Sequence, residues 1–211
     1  MRLELASLDL SFGSRAILSG ADLVAESSET VALMGPSGSG KSSLLGIVSG
    51  ALKPDGGSVS LIPAESLRLA WILQSTPLLA RRTALENVEL GPLSEGYSVL
   101  RSRALALSSM KKLGVAQVQR QRVYTLSGGE RQRLAVARAI AAHANVILAD
   151  EPTASLDPES REAVCSALLV AAGQGALVLV ATHDRAVADR CSRAYSISDG
   201  KLIALARSAT W

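Results

Sequence analysis

Gly35-Pro36-Ser37-Gly38-Ser39-Gly40-Lys41-Ser42 fills every fixed position of the pattern G-x-x-x-x-G-K-[ST]. Each residue type has a physical task. Glycines let successive backbone N–H groups turn inward around a phosphate, and a helix that starts there adds the positive end of its dipole. Lys41 is placed to neutralise β- and γ-phosphates, and Ser42 to offer its hydroxyl to Mg²⁺. The octet therefore binds a nucleoside triphosphate. Further on, the apolar run Val146–Ala149 ends in Asp150 and Glu151. An acid at the C-terminal end of a buried strand lies where parallel α/β sheets bind ligands, so Asp150 can hold Mg²⁺ through water. Glu151, next in the chain, can accept a proton from an attacking water. Alone, such a pair is usually a solvated turn; beside the octet it points to hydrolysis.

Leu126-Ser127-Gly128-Gly129-Glu130 opens a helix rich in arginine. Ser127 can cap that helix while two glycines leave backbone N–H groups bare for an anion. By spacing alone, an ordinary helix cap is the plainer reading. A second phosphate cradle on one chain is surplus unless it serves another subunit.

The elements that must position these residues follow from periodicity. Val31–Met34 is a short apolar run leading into the octet, and Leu44, Leu45, Ile47 and Val48 continue as a helix. Gly50, Pro54, Gly56 and Gly57 stop that helix, Ser58–Ile62 alternates like an edge or antiparallel strand, and Leu69–Leu73 predicts another strand. Residues from about Thr83 to Lys112 read as helical, broken near Gly91-Pro92 and Gly96, and form an inserted helical subdomain. Helices are expected over Gly128–His143 and Glu159–Ala172. Val146–Ala149 and Leu177–Ala181 are continuous apolar runs, which favours a parallel sheet covered on both faces. Asp199-Gly200 between Tyr195–Ile197 and Leu202–Leu205 predicts a hairpin. The fold class is α/β.

The 211 residues suit one domain, or one domain with a subdomain. Apolar residues make up 48% and charged residues 19%, too little charge for disorder, and with 3% aromatics the core must be aliphatic. A net charge of +3 does not argue for nucleic acid. Mean hydropathy is +0.25, yet no apolar run approaches the ~18–20 residues of a spanning helix. The first residues carry Glu4 and Asp9 with no continuous apolar core, unlike a signal peptide. Cys165 and Cys191 have neither metal-ligand spacing nor the numbers for a disulfide framework, so a reducing cytoplasm is expected.

Taken together, the octet, Leu126–Glu130, Val146–Glu151, Ser155-Leu156-Asp157 and His183 in Ala181-Thr182-His183-Asp184 occur in the order and rough spacing of the ATP-binding cassette (ABC) ATPases. The resemblance covers nearly the whole chain. It implies a P-loop NTPase (RecA-like) core with a parallel sheet, a small antiparallel β region and an inserted α-helical subdomain. One nucleotide-binding domain would span residues 1–211, with the core at about 1–74 and 127–211 and the helical subdomain at about 75–126. ATP and Mg²⁺ are the implied cofactors, and ATP hydrolysis the implied activity. Phe12 falls where the family stacks an aromatic ring on adenine, with plain packing as the other possibility. Gly35 to Ser42, with Ser43, would hold the phosphates, and Ser42 and Asp150 the metal. Gln74 matches the glutamine that reaches Mg²⁺ and the attacking water. Ser127, Gly128 and Gly129 would contact the γ-phosphate of ATP held by the opposite subunit, and Asp157 matches the loop that communicates across that interface. His183 resembles the histidine that contacts the γ-phosphate and braces Glu151.

The implied partners are a second copy, or a paralogous ATPase, in a head-to-tail dimer, and an integral-membrane permease on separate chains. The chain would lie peripherally on the cytoplasmic face of the cell membrane, with no nucleic acid. A soluble cassette protein acting in repair, translation or an enzyme complex is the alternative. LSGGERQRLAVARAI, TALENVELGPL and the Thr-His-Asp motif resemble the lipoprotein-release and macrolide-export group, although the 33 residues from Lys41 to Gln74 are fewer than usual there.

Overall fold

The computed structural model describes residues 1–73, 75, 77–154 and 156–206. Two antiparallel strands open the chain, β1 (Arg2–Phe12) and β2 (Arg15–Glu26), and a later strand, β4 (Gly56–Ile62), pairs with the free side of β1. Leu3, Leu5, Leu8 and Leu10 of β1 are all buried. Their spacing slips from two residues to three between Leu5 and Leu8, where the register shifts and Ser7 adopts φ 47°. A bulge of this kind keeps both leucine pairs on one face.

A six-stranded sheet has the order β5-β6-β7-β3-β8-β9. Its members are β3 (Thr30–Met34), β5 (Leu69–Leu73), β6 (Val146–Asp150), β7 (Leu177–Thr182), β8 (Arg193–Ser198) and β9 (Lys201–Ala204). β3 runs parallel to β7 and β8, and β6 parallel to β7, while β8 and β9 form the antiparallel hairpin at Asp199-Gly200. Every residue of β7 is buried, as a central strand of a covered sheet requires. Helix α1 (Lys41–Val48) follows β3, and its Leu44 and Leu45 join Leu33, Leu148 and Leu179 in one aliphatic core. Burying each such side chain contributes about 1.5–3 kcal/mol.

The chain divides into two compact units. The first comprises Met1–Trp71, Asn145–Glu151 and Ala172–Trp211, and the second Ile72–Ala144 and Pro152–Ala171. The second unit holds α2 (Ala84–Ser94), α3 (Val99–Lys112) and α4 (Gly128–Ala141), packed against one another around Val88, Ala106, Met110 and Leu134, and most of α5 (Pro158–Gly173). The six-residue α6 (Arg185–Arg190) belongs to the first unit.

The helix expected to break at Gly91-Pro92 does not. α2 starts at a capping box in which Thr83 and Glu86 bond each other's backbone N–H, and it runs through Pro92 to Ser94 before Gly96 turns at φ 83°. A Cβ on Gly91 would lie 2.5 Å from the carbonyl oxygen of Arg138. Gly91 is therefore where α2 and α4 come into backbone contact, and Pro92 gives up only one bond near the helix end. Gly56 and Gly57, expected to separate elements, open β4 instead. Among the described residues, no helix is long and apolar enough to cross a membrane.

Candidate functional site

The loop from β3 to α1 is built around glycines whose positive φ angles strain any residue with a side chain. Gly40, the residue preceding α1, has φ 104°, and a Cβ there would meet Ile17 at 2.8 Å. Gly35 has φ 152°, and a Cβ there would meet the Ser39 hydroxyl at 2.5 Å. No side chain caps α1, and its first turn contains no acid. The first N–H groups of a helix have no partner within it, so those of α1 are left for an acceptor from outside the helix. Ser39 Oγ is buried without a hydrogen-bond partner, while Ser42 is exposed.

Lys41 has a side chain 7% exposed that folds back over the loop. Its ammonium donates to Gly35 O at 2.8 Å and Pro36 O at 3.0 Å, and lies 3.8 Å from Glu151 Oε1. A buried cation needs acceptors or counter-charge. Here it has both, and each is a group that phosphate oxygens can replace.

Asp150 closes β6 and is partly buried. The chain then reverses at Glu151, whose φ of 47° is left-handed, a strain of about 1–3 kcal/mol for a residue with a side chain. Its N–H donates to Ala181 O on the neighbouring strand at 2.9 Å, which holds the turn. Both carboxylate oxygens of Glu151 sit 3.0 Å from His183 Nδ1. His183 is fixed by the turn after β7: Asp184 N–H donates to Thr182 Oγ1 at 3.0 Å, and Asp184 Oδ1 accepts from Ala186 N–H at 2.9 Å. A cation, a carboxylate and an imidazole thus converge beside the uncapped start of α1.

The first unit also holds Phe12, whose ring is 54% exposed at the tip of the β1–β2 hairpin. Cross-strand from it is Arg15, which donates to Gly38 O at 3.2 Å. Sequence reasoning passed over Arg15, and a lone arginine near a turn gives no signal. Pro36, Ser37 and Gly38 form the exposed rim of the loop, and Ser43 lies partly buried in the first turn of α1.

Ser127, Gly128, Gly129 and Asp157 belong to the second unit. Ser127 caps α4 in a closed box: Glu130 N–H donates to Ser127 Oγ at 3.2 Å, and Glu130 Oε2 accepts from Ser127 N–H and Oγ at 2.9 Å each. A Cβ on Gly128 would lie 2.9 Å from Leu156, and one on Gly129 would lie 2.7 Å from Ser160. Asp157 caps α5, accepting from Ser160 N–H at 2.9 Å, and bonds from Ser160 hold its carboxyl below the usual range. Gln74 and Ser155 lie outside the described residues.

The ABC transporter family model matches residues 18–154, well over half of the chain. The chain belongs to that family. Among its relatives, the lipoprotein-releasing system ATP-binding protein LolD of Paramagnetospirillum magneticum is 38% identical over 201 residues, covering 89% of each protein. The pyoverdine export ATP-binding/permease protein PvdT of Pseudomonas fluorescens is 36% identical over 200 residues, which are 89% of this chain and 30% of that longer one. In structure, the ABC chain matches the dimeric post-hydrolysis state of the ATP-binding cassette MJ0796 bound to ADP and phosphate. The TM-score is 0.81 and the identity 31%, over 99% of this chain and 100% of that one. Parallel sheet, antiparallel sheet and helices together form the α/β cassette expected from the motifs.

Proposed function

We propose that this ABC chain binds and hydrolyses ATP as a head-to-tail dimer and powers transport through a separate permease, lying peripherally on the cytoplasmic face of the membrane. The observation that carries the proposal is the convergence of Lys41, Glu151 and His183 beside the uncapped start of α1. The family membership, the likeness to a dimeric cassette holding ADP and phosphate, and the kinship to a lipoprotein-releasing ATPase support it.

When ATP enters, Lys41 exchanges two loop carbonyls and its contact with Glu151 for β- and γ-phosphate oxygens. The orphaned Ser39 hydroxyl and the first N–H groups of α1 have the polarity to receive phosphate. Phe12 offers an exposed face for adenine. Ser42 and Asp150 would hold Mg²⁺, which supplies charge neutralisation across the β- and γ-phosphates when bound. One hydroxyl and one carboxylate suit that ion, because Mg²⁺ is bound through one or two carboxylates with phosphates and water rather than by an all-protein cage. Glu151, freed from Lys41, accepts the proton of the attacking water at a carboxylate oxygen, and His183 keeps that carboxylate in place and reaches the γ-phosphate. Gln74 completes this set. Ser127, Gly128 and Gly129 meet the γ-phosphate of ATP held by the opposite chain, with Asp157 beside them. Cleavage then removes the contact that bridges two chains, and the dimer opens.

Glu151→Gln keeps the side chain's shape and removes its basicity. Turnover should fall about 10²–10⁴-fold while ATP and Mg²⁺ still hold the dimer together. Tagged Glu151→Gln, trapped in that state and purified from mild detergent extract, should bring down a stoichiometric polytopic membrane protein. Wild-type turnover, with contaminating ATPases excluded, refutes the base role. Soluble partners alone, with the dimer intact, refute the transport role.

A further inference from the structure

The start of β2 lies along the loop between β3 and α1, inside the first unit. A Cβ on Gly40 would come 2.8 Å from Ile17, and one on Gly38 would come 3.8 Å from Arg15 Nη2. Residues two apart on a strand share a face, so one face of β2 meets two loop glycines that are themselves two apart. The buried Ile17 backs the inner end of the loop, and the exposed Arg15 stands at its rim.

The charge on Arg15 has no carboxylate to answer it. Among the described residues, Arg2, Arg82, Arg103, Arg185 and Arg193 each form an ion pair with an acidic side chain, whereas the Arg15 guanidinium has the neutral Gly38 carbonyl, at 3.2 Å, as its partner. A guanidinium carries five N–H donors in a planar fork and no acceptor, so one bond to a carbonyl leaves most of that fork unused. Across the hairpin, Arg15 pairs with Phe12, and directly paired residues project on the same side of a ribbon. The exposed ring, the guanidinium and the loop rim therefore adjoin one another. A nucleotide with its base on Phe12 and its β- and γ-phosphates at Lys41 has to carry its α-phosphate across the stretch between them, where Arg15 stands.

We propose that Arg15 binds the α-phosphate of the nucleotide. The guanidinium turns its unused donors from solvent to the non-bridging oxygens nearest the ribose. A donor-only group of permanent charge suits that anion better than it suits a ribose hydroxyl or a base. What Arg15 reads is therefore a nucleoside 5′-phosphate as against a nucleoside, while Lys41 reads the phosphates beyond it. ADP keeps its α-phosphate, so the contact outlasts cleavage and slows ADP release. The inference rests on the ATP site proposed above, with Phe12 at the base and Lys41 at the β- and γ-phosphates.

The test uses the purified full chain at concentrations below dimerisation, with unlabelled ATP, ADP and adenosine each displacing a fluorescent ATP analogue. Arg15→Met keeps the stem without the charge, and Arg15→Lys keeps the charge without the fork. Arg15→Met should weaken ATP and ADP by the same factor, about fivefold for one exposed charge-assisted contact. Adenosine affinity and the thermal midpoint without nucleotide should not change. Arg15→Lys should lie within about twofold of wild type, and the loss in Arg15→Met should shrink above about 0.5 M salt. Unchanged ATP and ADP affinities overturn the proposal. An ATP loss several times the ADP loss moves Arg15 to the γ-phosphate, and an equal loss for adenosine moves it to the base; either result overturns the proposal too. So does a lower thermal midpoint accompanied by loss of all three affinities, which makes Arg15 a brace for the loop. Wild-type ATP affinity in Lys41→Ala refutes the nucleotide site itself, whatever the Arg15 variants do.

Discussion

Two helices of this chain begin at glycine-rich turns suited to anions, and they are finished differently. α1 starts after Gly40, with no side-chain cap, no acid in its first turn and a buried lysine folded across the loop. α4 starts at Ser127, whose own hydroxyl and N–H are closed into a box with the Glu130 carboxylate. The first is an open demand for phosphate that the chain alone cannot satisfy. The second is satisfied at rest, and negatively charged. A helix start is thus not a phosphate site by virtue of its geometry; what its first turn already holds decides how much affinity is left over. In the function proposed above, α1 would bind ATP by itself and α4 would add a contact only when a second chain presents ATP.

The sharpest way to break this contrast is Lys41→Ala against Ser127→Ala. Losing two charge-assisted bonds to phosphate should weaken single-chain ATP affinity by about two orders of magnitude. Ser127→Ala should leave that affinity unchanged, cost the α4 cap about 1 kcal/mol and impair only ATP-dependent dimerisation. Calorimetric titration of each variant, followed by gel filtration with ATP in the Glu151→Gln background, separates the two. Equal losses of single-chain affinity would end the distinction.

Gly40→Ala should come next in size. It places a Cβ against Ile17 and a side chain at φ 104°, and should lower ATP affinity roughly tenfold and stability by about 1–2 kcal/mol, read by titration and denaturant unfolding. Glu130→Gln should work the other way. An amide oxygen can still close the box, while the negative charge that would face the partner's nucleotide in the proposed dimer is gone. ATP-dependent dimerisation should tighten several-fold in low salt and less above about 0.5 M, where the screening length becomes a few ångströms.

The smallest effect concerns acid. The Asp157 carboxyl is held low by bonds from Ser160, and that of Glu86 by the Thr83 N–H and hydroxyl. Each depressed value contributes stability that is complete above the unfolded value near 4 and fades as pH falls through the folded one. Asp157→Asn, which can still cap α5, should flatten the thermal-midpoint curve below about pH 4 and leave it unchanged at pH 7.

The part of this fold that sequence revealed is the part where chemistry restricts residue type. The turn from β3 into α1, the acid pair at the end of β6 and the parallel strands β3, β6 and β7 were readable because glycines, acids and continuous apolar runs mark those places in the sequence. The β1–β2 hairpin went unseen because its bulge turns Leu3/Leu5 and Leu8/Leu10 into two offset pairs, which breaks the period-two signal. α2 was expected to break at Pro92, because the reason for its continuity lies on another helix, at Arg138. Gln132, which bonds the Leu73 carbonyl, was hidden for a similar reason. It shares a stripe with the buried Ala135, Val136 and Ala139, where a polar residue is a mark of a tertiary partner, but the partner is a backbone carbonyl that no pattern encodes. The contact of His183 with Glu151 was expected from the family resemblance, whereas the Thr182–Asp184 bond that sets its turn was not.

The left-handed backbone at Glu151 sets local stability against the chemistry proposed for that residue. Glycine and asparagine accept φ 47° far more readily than glutamate does. Exchanging Glu151 for either of them should relieve about 1–3 kcal/mol of backbone strain while removing the carboxylate beside Lys41 and His183. On the base role proposed for Glu151, turnover asks for a glutamate at a turn whose own thermodynamic preference runs against one.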